Sequence, residues 1–556
     1  MKNLTKKLLP ILLAIALSIG SLTPVMAHDL GDDPTHPLRD LHPLGDEELE
    51  WFAEMLGDTW FGEDMLVVLT PEARDLALAD LEYLYDRVMQ IAPTQNIIGR
   101  RQFDSVQYIF AMYHQVIYHM IPIISETAFF MDERWENHPD EAHYIAANYL
   151  FTLLLWLAGD IGQIGHMAPQ SLYSMEVLFY SVAYLTHRMA DYIDTLPWGR
   201  MLAHHYDVFS SPSALWFYGL DPFEFDFDEP SGEIDPYNIM AVVIEPNRIA
   251  YISVASFAND LAADAEVLFP FFEEIQDFEH LIIDLRGNRG GWANSFPSNF
   301  VSMLIDEDIV FMGHEFFIYS EYTAAFFEND DSARHGQLYE IIPVSDFIAQ
   351  QGLTYFNQDD RALLDYVAVW EERYSPAENN IPFSGEIWML VDGWSASASE
   401  SAALIAINGG FATVVGEPTA GITGVNYTFA ALPNTGIVFR IDIGYTVDRY
   451  GRSIEEFGVI PQVQVGHFDD ALLAVIDIIG EAPPSILETI PRMYFVPMRQ
   501  TAEAHGWIVH WDGYRNAAVL TDTYGYEWVL YTTADYVVSI NGVLYISLAR
   551  ALEIFG

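Results

Sequence analysis

The sequence contains no cysteine, and its lysines are confined to Lys2, Lys6 and Lys7. The absence of cysteine excludes disulfides, thiolate catalysis, lipid attachment through a thiol and cysteine-based metal sites. Beyond the first seven residues, no mechanism that requires a lysine side chain can operate. Folding must therefore depend on the size of the apolar core.

Basic residues are scarce altogether, with 24 Lys+Arg against 80 Asp+Glu and a formal net charge of -56. Such a surface repels phosphate backbones and anionic lipid head groups, so we expect no binding to nucleic acid. Hydrophobic residues nevertheless make up 51% of the 556 residues, which provides ample material for packed cores. This length predicts about three or four domains.

Residues 1–27 have the pattern of an export signal. The three lysines precede an apolar stretch at residues 8–19, and Val25-Met26-Ala27 resembles a small-residue cleavage site. The apolar stretch is shorter than the ~20 residues that span a bilayer. We therefore expect cleavage after Ala27, no membrane insertion after signal removal, and a secreted, extracellular or cell-wall-associated protein.

Residues 46–205 predict an α-helical N-terminal domain. Thr70 is a suitable N-cap with Pro71 at the first helical position, and apolar residues then recur at intervals of three and four until Pro93. Residues 144–158 predict a buried helix rather than a membrane span, because Asn148 interrupts the apolar run. The acidic, proline-rich segment 206–247 is interpreted as a linker.

Residues 248–470 alternate between short apolar β-type runs and helical patterns, which predicts an α/β domain with a mostly parallel sheet covered on both faces. Residues 481–484 resemble a hinge, and residues 484–556 predict a small α+β module with one helix at each end. The clearest predicted strands of the α/β domain are 249–254, 281–285 and 387–391, and its clearest helices are 260–276 and 397–407.

Residues 385–424 contain a strand, a glycine-containing turn and a helix that opens with small residues. This arrangement places a hydroxyl at a helix N-terminus, where backbone N–H groups favour developing negative charge. That geometry suits a nucleophile. The alternative is that Ser395, Ser397 and Ser399 serve only as cap and packing residues.

Residues 281–291 form a second informative stretch, an apolar strand that ends in a glycine-rich turn. Glycines allow backbone N–H groups to point at a bound oxygen. A glycine turn beside a serine turn, each at the end of a strand, is the layout of an oxyanion hole and its nucleophile.

Four motifs in order resemble the C-terminal processing peptidase superfamily, the serine peptidases that include tail-specific proteases, the tricorn core protease and interphotoreceptor retinoid-binding protein modules. They are IDLRGNRGG, SASASE, VVGEPTAG and EEFGVIPQVQV, and the resemblance covers about residues 248–465. It implies a crotonase-like α/β core that cleaves peptides through an acyl-enzyme, without metal or organic cofactor. By motif position, Ser397 is the nucleophile, and the oxyanion hole is formed by the amides of Ala398 and of Gly290 or Gly291.

The general base departs from the tail-specific branch of this superfamily. Ile422 stands where that branch has its lysine, and Asn408 replaces the helix acid. The tricorn-like branch instead uses a histidine and a late glutamate. His166, in GDIGQIGHMAP, and Glu455, in SIEEFGVIP, are similar to those two residues.

The predicted catalytic set is therefore Ser397, His166 and Glu455. A neutral imidazole can accept the serine proton, and a carboxylate can orient it and stabilise the imidazolium. Glu456 is an adjacent alternative acid, and Met167 occupies the place of a further serine found in the family.

The C-terminal phrase YFVPMRQTAEAHGWIVHWDG resembles the copper amine oxidase N-terminal-like (stalk) domain. In this setting the resemblance implies no copper chemistry but a contact with cell wall or protein. Elsewhere, Asp226, Asp228 and Glu229 lack the ligand spacing of a calcium loop, and His204-His205 lacks the acidic partner of a zinc helix.

The sequence thus predicts an exported serine endopeptidase that acts on polypeptides. No PDZ module fits before the α/β domain, so specificity for chain termini is not implied. The alternative is a catalytically inactive relative that binds peptides or a small apolar ligand in the same cleft.

Overall fold

The structure is a computed structural model. The part of the chain that it describes is given by the following residue ranges. It comprises residues 36–39, 66–102, 105–121, 123–124, 141–161, 167–171, 199–220, 235–236, 238–320, 333–334, 337–338, 340–423, 426–466, 470–480, 495–497, 507–512, 517–521, 527–531, 537–540 and 543–547, with isolated residues between them. The predicted signal at 1–27 and the hinge at 481–484 lie outside the described residues.

Helices dominate the N-terminal region, as the sequence predicts. Helix α1 (Pro71–Ile91) is capped by Thr70, whose hydroxyl accepts a hydrogen bond from the Ala73 amide at 3.2 Å, and it ends two residues before Pro93. The other elements of this region are α2 (Gln95–Gln102), α3 (Val106–Tyr118), α4 (Glu141–Ile161), α5 (Gly199–Phe209) and α6 (Pro212–Tyr218), with the short strands β1 (Leu66–Val67), β2 (Ile123–Ile124) and β3 (Ala168–Pro169).

Helix α4 contains the apolar run 144–158 and packs in the same core as α1 and α3. Among the described helices, none has the length and apolar character needed to cross a membrane.

The predicted linker at 206–247 is wrong at both ends. Helix α6 is capped by Ser211 and buries Ala214 and Phe217, and a seven-residue strand occupies residues 239–245. The acidic run dominates the average composition of residues 206–247. A short helix and a short strand change that average little, so the composition did not reveal them. The acidic run itself, at 221–234, lies outside the described residues.

The region that follows alternates strands and helices. Its strands are β4 (Ile239–Glu245), β5 (Ile249–Val254), β6 (His280–Asp284), β7 (Ile309–Phe317), β8 (Ala333–Arg334), β9 (Gln337–Leu338), β10 (Glu340–Pro343), β11 (Tyr366–Tyr374), β12 (Glu386–Val391), β13 (Thr413–Gly416), β14 (Tyr427–Ala431), β15 (Val438–Asp442) and β16 (Val463–Gln464). Its helices are α7 (Leu261–Ile275), α8 (Ser302–Leu304), α9 (Val344–Gln351), α10 (Gln358–Leu363), α11 (Ala398–Gly409), α12 (Ile454–Phe457) and α13 (Ala471–Ile479), with a π-helical turn at Pro297–Val301.

The central sheet has the strand order β16-β13-β12-β6-β5-β4 within the described residues. All neighbours pair in parallel except the edge strand β4, which runs antiparallel to β5. Helices α7 and α11 cover one face, and α13 covers the other. The predicted mostly parallel sheet with two covered faces is therefore confirmed.

The register between β6 and β12 positions the site. Leu390 lies opposite Asp284, so the two strands end at the same edge of the sheet. The glycine turn after β6 and the serine turn after β12 are consequently neighbours, although they lie more than one hundred residues apart in sequence.

A second core joins the helical region to the α/β region. Strand β3 pairs with β15, with Arg440 opposite Ala168, and so extends the β14-β15 hairpin. Buried residues of α1, α3 and α4 share one apolar cluster with β7, β11, β14 and β15. At this contact the buried Asp80 of α1 accepts hydrogen bonds from Asn434 and Thr435, in the hairpin turn.

The described residues of the C-terminal module contain six short strands. They are β17 (Phe495–Pro497), β18 (Ile508–Asp512), β19 (Ala517–Thr521), β20 (Glu527–Tyr531), β21 (Val537–Ile540) and β22 (Val543–Ser547). The predicted helices at the two ends of this module are residues 496–506 and 546–556, but their first residues, Val496 and Ile546, lie in strands and pair with each other. The remainder of each predicted helix lies largely outside the described residues.

Candidate active site

Ser397 lies at the turn between β12 and α11 and has a strained backbone. Its φ of 55° and ψ of -116° lie in a region that residues with side chains rarely adopt. Among the described residues, only Met120 and Asn247 share a positive φ without being glycine. Such strain costs about 1–3 kcal/mol and is typical of functional positions.

The two neighbouring serines have structural roles. The Ser395 hydroxyl donates to the Leu285 carbonyl oxygen at 2.8 Å, and the Ser399 hydroxyl donates to the Asn288 carbonyl oxygen at 2.9 Å. Both serines are fully buried, and both bonds join the serine turn to the glycine turn. Ser397 is partly exposed, and the Glu400 amide donates to its carbonyl oxygen at 2.9 Å. Of the three candidates, Ser397 is therefore the one placed to react.

Gly290 allows the two turns to touch. A Cβ atom at this position would lie 2.7 Å from the Ala398 nitrogen and 2.7 Å from the Ser397 Cβ. The Gly290 amide donates to Asn288 Oδ1 at 2.8 Å, so it is already engaged. The absence of a side chain at Gly290 therefore lets the two turns lie in contact.

The amides of Ala398 and Gly291 remain available. Neither amide donates a hydrogen bond to any described residue. Ala398 is the first residue of α11, so its amide has no acceptor within the helix. The hydrogen bonds between Phe257 and the glycine turn use the Gly290 carbonyl oxygen and the Trp292 amide, and not the Gly291 amide. Two free N–H groups beside a serine hydroxyl can bind an oxyanion. Of the two glycines that the sequence leaves open, Gly291 is the one whose amide has no acceptor among the described residues.

The loop at residues 419–422 forms the third wall of the site, and Glu400 fixes its position. The sequence predicted no role for Glu400. Its buried carboxylate accepts from the amides of Ser397, Gly421 and Ile422 at 3.1, 2.7 and 2.8 Å, and from the Thr419 hydroxyl at 2.6 Å. Burial raises the pKa of Glu400 above its usual value. The Ser-x-x-Glu spacing of a capping box was the signal that could have identified it.

The loop that is hydrogen-bonded to Glu400 also contacts the backbone of Ser397 directly. The Ser397 amide donates to the Ile422 carbonyl oxygen at 3.0 Å. Ile422 is the residue that the resemblance aligns with a lysine base, so an isoleucine lies next to Ser397 at this place.

Glu455 is buried one loop further from Ser397, on the single-turn helix α12. Its carboxylate accepts from the hydroxyls of Thr423 at 2.6 Å and Ser453 at 3.0 Å, and from the Thr446 amide at 3.0 Å. Burial raises the pKa of Glu455 to about 7. Thr423 follows Ile422 directly, so the carboxylate is connected to the serine turn through two successive residues.

His166 lies outside the described residues, and its predicted role as base therefore stays a prediction. The described chain resumes at Met167, which is buried, and continues as β3 against β15. The residues proposed from sequence are thus brought together in part: Ser397, Ala398, Gly290 and Gly291 form one site, and Glu455 lies behind it.

Two exposed tryptophans flank the site. The side chain of Trp292, next to Gly291, is 63% exposed, and that of Trp394, in the serine turn, is 48% exposed. The Arg289 guanidinium lies over the Trp394 ring at 5.1 Å from its centroid. Exposed aromatic side chains therefore lie next to Gly291 and within the serine turn.

Metal ligation has no support in the described part of the chain, where no group of three or more His, Asp or Glu residues could hold an ion. His205 is a core residue packed against Tyr427 and Phe429, and burial lowers its pKa to about 3. The acidic residues Asp226, Asp228 and Glu229 lie outside the described residues.

The α/β region is similar to a known protein family. Residues 248–465 match the model of Peptidase family S41, and we call them the S41 segment. The match covers less than half of the chain and indicates a serine-type peptidase.

Solved structures show partial likeness to the chain. The photosystem II D1 C-terminal processing protease is 20% identical over 42% of this chain and 47% of its own, with a TM-score of 0.25, so the match spans about half of that protein. A lipoprotein from Streptococcus agalactiae is 13% identical over 74% of this chain and 97% of its own, with a TM-score of 0.34. The tricorn protease is 17% identical over 41% of this chain and 17% of its own, with a TM-score of 0.24.

Proposed function

We propose that the protein is an exported serine endopeptidase that hydrolyses polypeptides through an acyl-enzyme. The observation that supports this proposal is the strained Ser397, which lies at the contact between the serine turn and Gly290, where the neighbouring amides of Ala398 and Gly291 have no acceptor among the described residues. Basic polypeptides are the favoured substrates, because a net charge of -56 attracts them.

The chemistry follows from these positions. Ser397 Oγ attacks the scissile carbonyl carbon while His166 accepts its proton, and the oxyanion receives hydrogen bonds from Ala398 and Gly291. The imidazolium then protonates the leaving amine, and the acyl group remains on Ser397 as an ester. A water molecule, deprotonated by the same imidazole, hydrolyses the ester. Glu455 orients His166 and stabilises its charged form.

A fluorophosphonate probe tests the nucleophile. The folded wild-type protein should be labelled between pH 6 and pH 9, and Ser397→Ala should abolish labelling. Ser401→Ala, the same change further along α11, should be labelled like the wild type. A folded wild-type protein that is not labelled at any of these pH values would favour the inactive, ligand-binding alternative.

The base is tested in the same assay. His166→Ala should lose labelling while the far-ultraviolet circular dichroism spectrum stays unchanged, and His119→Ala, at an exposed position, should keep it. Full labelling of His166→Ala would transfer the role to another group.

Export and the C-terminal module belong to the same proposal. Cleavage after Ala27 would place the enzyme outside the cytoplasm, and residues 484–556 would provide contact with cell wall or protein. N-terminal sequencing of protein recovered from the culture medium and from the cell wall tests both the cleavage site and the location.

A further inference from the structure

Arg100, on α2 of the helical region, grips two carboxylates on separate elements of the α/β region. Its guanidinium donates to both oxygens of Asp360, on α10, at 3.0 and 2.8 Å. It also donates to both oxygens of Glu456, on α12, at 2.9 and 2.7 Å. Double bidentate pairing fixes both distance and orientation, because the guanidinium is a rigid planar fork.

These contacts surround Glu455 from two sides. On one side, Glu456 is the next residue along α12. On the other, the Tyr445 hydroxyl donates to Asp360 Oδ2 at 2.7 Å, and the following residue, Thr446, gives its amide to the Glu455 carboxylate. Arg100 thus holds the helix that carries Glu455 and, through Asp360 and Tyr445, the segment after β15 whose Thr446 amide binds the Glu455 carboxylate.

Helix α12 needs such support from outside. It contains four residues, whereas isolated helices shorter than about 12 residues are marginal in water. Such a short helix cannot by itself hold the carboxylates of Glu455 and Glu456 in position. The contact with Arg100 fixes them relative to the helical region.

We propose that Arg100 is a positioning residue of the active site: it docks the helical region onto α12 and so fixes Glu455 for its role beside the base. The inference rests on the proposed function. It makes the reactivity of Ser397 conditional on a contact made by residue 100, far outside the S41 segment.

A matched pair of variants tests the proposal. Arg39 forms the equivalent bidentate pair with Glu82 at 2.7 and 3.0 Å, and its side chain is 29% exposed, against 28% for Arg100. The acceptor carboxylates are also similarly buried, at 3% for Glu82 and 0% for Asp360. Arg39→Gln therefore removes one such bidentate pair from the helical region without touching α12, whereas Arg100→Gln removes two.

The first measurement is hydrogen–deuterium exchange followed by mass spectrometry. Arg100→Gln should raise deuterium uptake in residues 445–458, whereas Arg39→Gln should leave it at the wild-type level. If Arg100→Gln does not fold, Glu456→Gln removes one partner and should raise uptake in the same residues. Unchanged uptake there in the folded Arg100 variant would overturn the inference.

The second measurement is the second-order rate of fluorophosphonate labelling. We expect Arg100→Gln to slow labelling about 10- to 100-fold, the scale for a misplaced catalytic group. Arg39→Gln should keep the wild-type rate although it also lowers the melting temperature, and Arg100→Lys should recover part of the lost rate.

A double variant separates positioning from general stabilisation. In a Glu455→Gln background, Arg100→Gln should slow labelling by less than about twofold more, because its effect passes through Glu455. Two losses that multiply would overturn the inference. If the folded wild-type protein is not labelled at all, the proposed function fails, and the exchange data alone decide whether Arg100 holds α12.

Discussion

At the scale of single residues, the backbone of Ser397 distinguishes it from its neighbours. The motif SASASE presents three similar serines, and the sequence alone allows all of them to be caps. Their partners separate them, since Ser395 and Ser399 donate to carbonyl groups of the glycine turn and Ser397 does not. Those partners lie more than one hundred residues away, so no local pattern could reveal them.

Replacement of Ser397 by glycine should stabilise the protein relative to replacement by alanine. Glycine adopts a φ of 55° without strain, whereas alanine keeps the strain of serine. We expect Ser397→Gly to exceed Ser397→Ala in unfolding free energy by about 1 kcal/mol, measured by urea denaturation. In the helix interior at Ser401 the order should reverse, because glycine costs about 1 kcal/mol there. The same order at both positions would mean that Ser397 is not strained.

The rate of fluorophosphonate labelling should rise with pH. Burial raises the pKa of Glu455 to about 7, so ionised Glu455 becomes dominant only above neutral pH. We expect the rate to increase from pH 6 to pH 8 and then to level off. Glu455→Gln should label more slowly and should lose the part of this increase that reflects Glu455. A wild-type rate that is flat or falls over this range contradicts the assignment.

At the scale of elements, the site lies where two strands of a parallel sheet end together. The apolar runs and their glycine-containing ends predicted β6, β12 and α11 closely, and hence the proximity of the two turns. The third wall, the loop held by Glu400, was not predicted, because its bonds to Thr419, Gly421 and Ile422 join residues without a shared periodicity.

Alanine at Gly290 should disable the site, whereas alanine at Gly287 should not. Both glycines have positive φ, 94° and 76°, but a Cβ at Gly287 meets nothing within 4 Å. A Cβ at Gly290 must displace the serine turn. We expect Gly290→Ala to lose most fluorophosphonate labelling and Gly287→Ala to retain it with a modest loss of stability, about 1 kcal/mol. Equal labelling of both variants would show that the two turns do not need to touch.

At the scale of the whole molecule, the helical region and the S41 segment are joined more closely than the sequence suggested. The prediction treated residues 46–205 and 248–470 as separate domains divided by a linker. Strand β3, Asp80 and Arg100 instead contribute to sheets, turns and ion pairs of the second region. Composition and periodicity describe each segment by itself and carry no information about which distant surfaces share a core.

Asp80 should make this contact sensitive to pH. Burial raises its pKa from 3.8 to about 6, although four hydrogen bonds from Asn434 and Thr435 oppose the shift. Because the folded protein then binds the proton more tightly than the unfolded chain, unfolding free energy falls as pH rises from about 4 to about 6.

Urea denaturation of wild type and Asp80→Asn tests this expectation. The difference in unfolding free energy, wild type minus variant, should fall by about 2 kcal/mol between pH 4 and pH 7. Asp75→Asn, at an exposed position on the same helix, controls for the change in net charge. A difference that stays constant over this range would show that Asp80 titrates alike in both states.

The pairing of β3 with β15 also bears on the order in which the protein is made. Residue 168 leaves the ribosome some 270 residues before its partner at position 440. Arg100 precedes its partner Glu456 by a still longer stretch of chain. A nascent chain therefore carries no assembled site until residues 440 and 456 have been added. Under the proposed function, this timing would keep the nascent chain from cleaving the polypeptides of the producing cell.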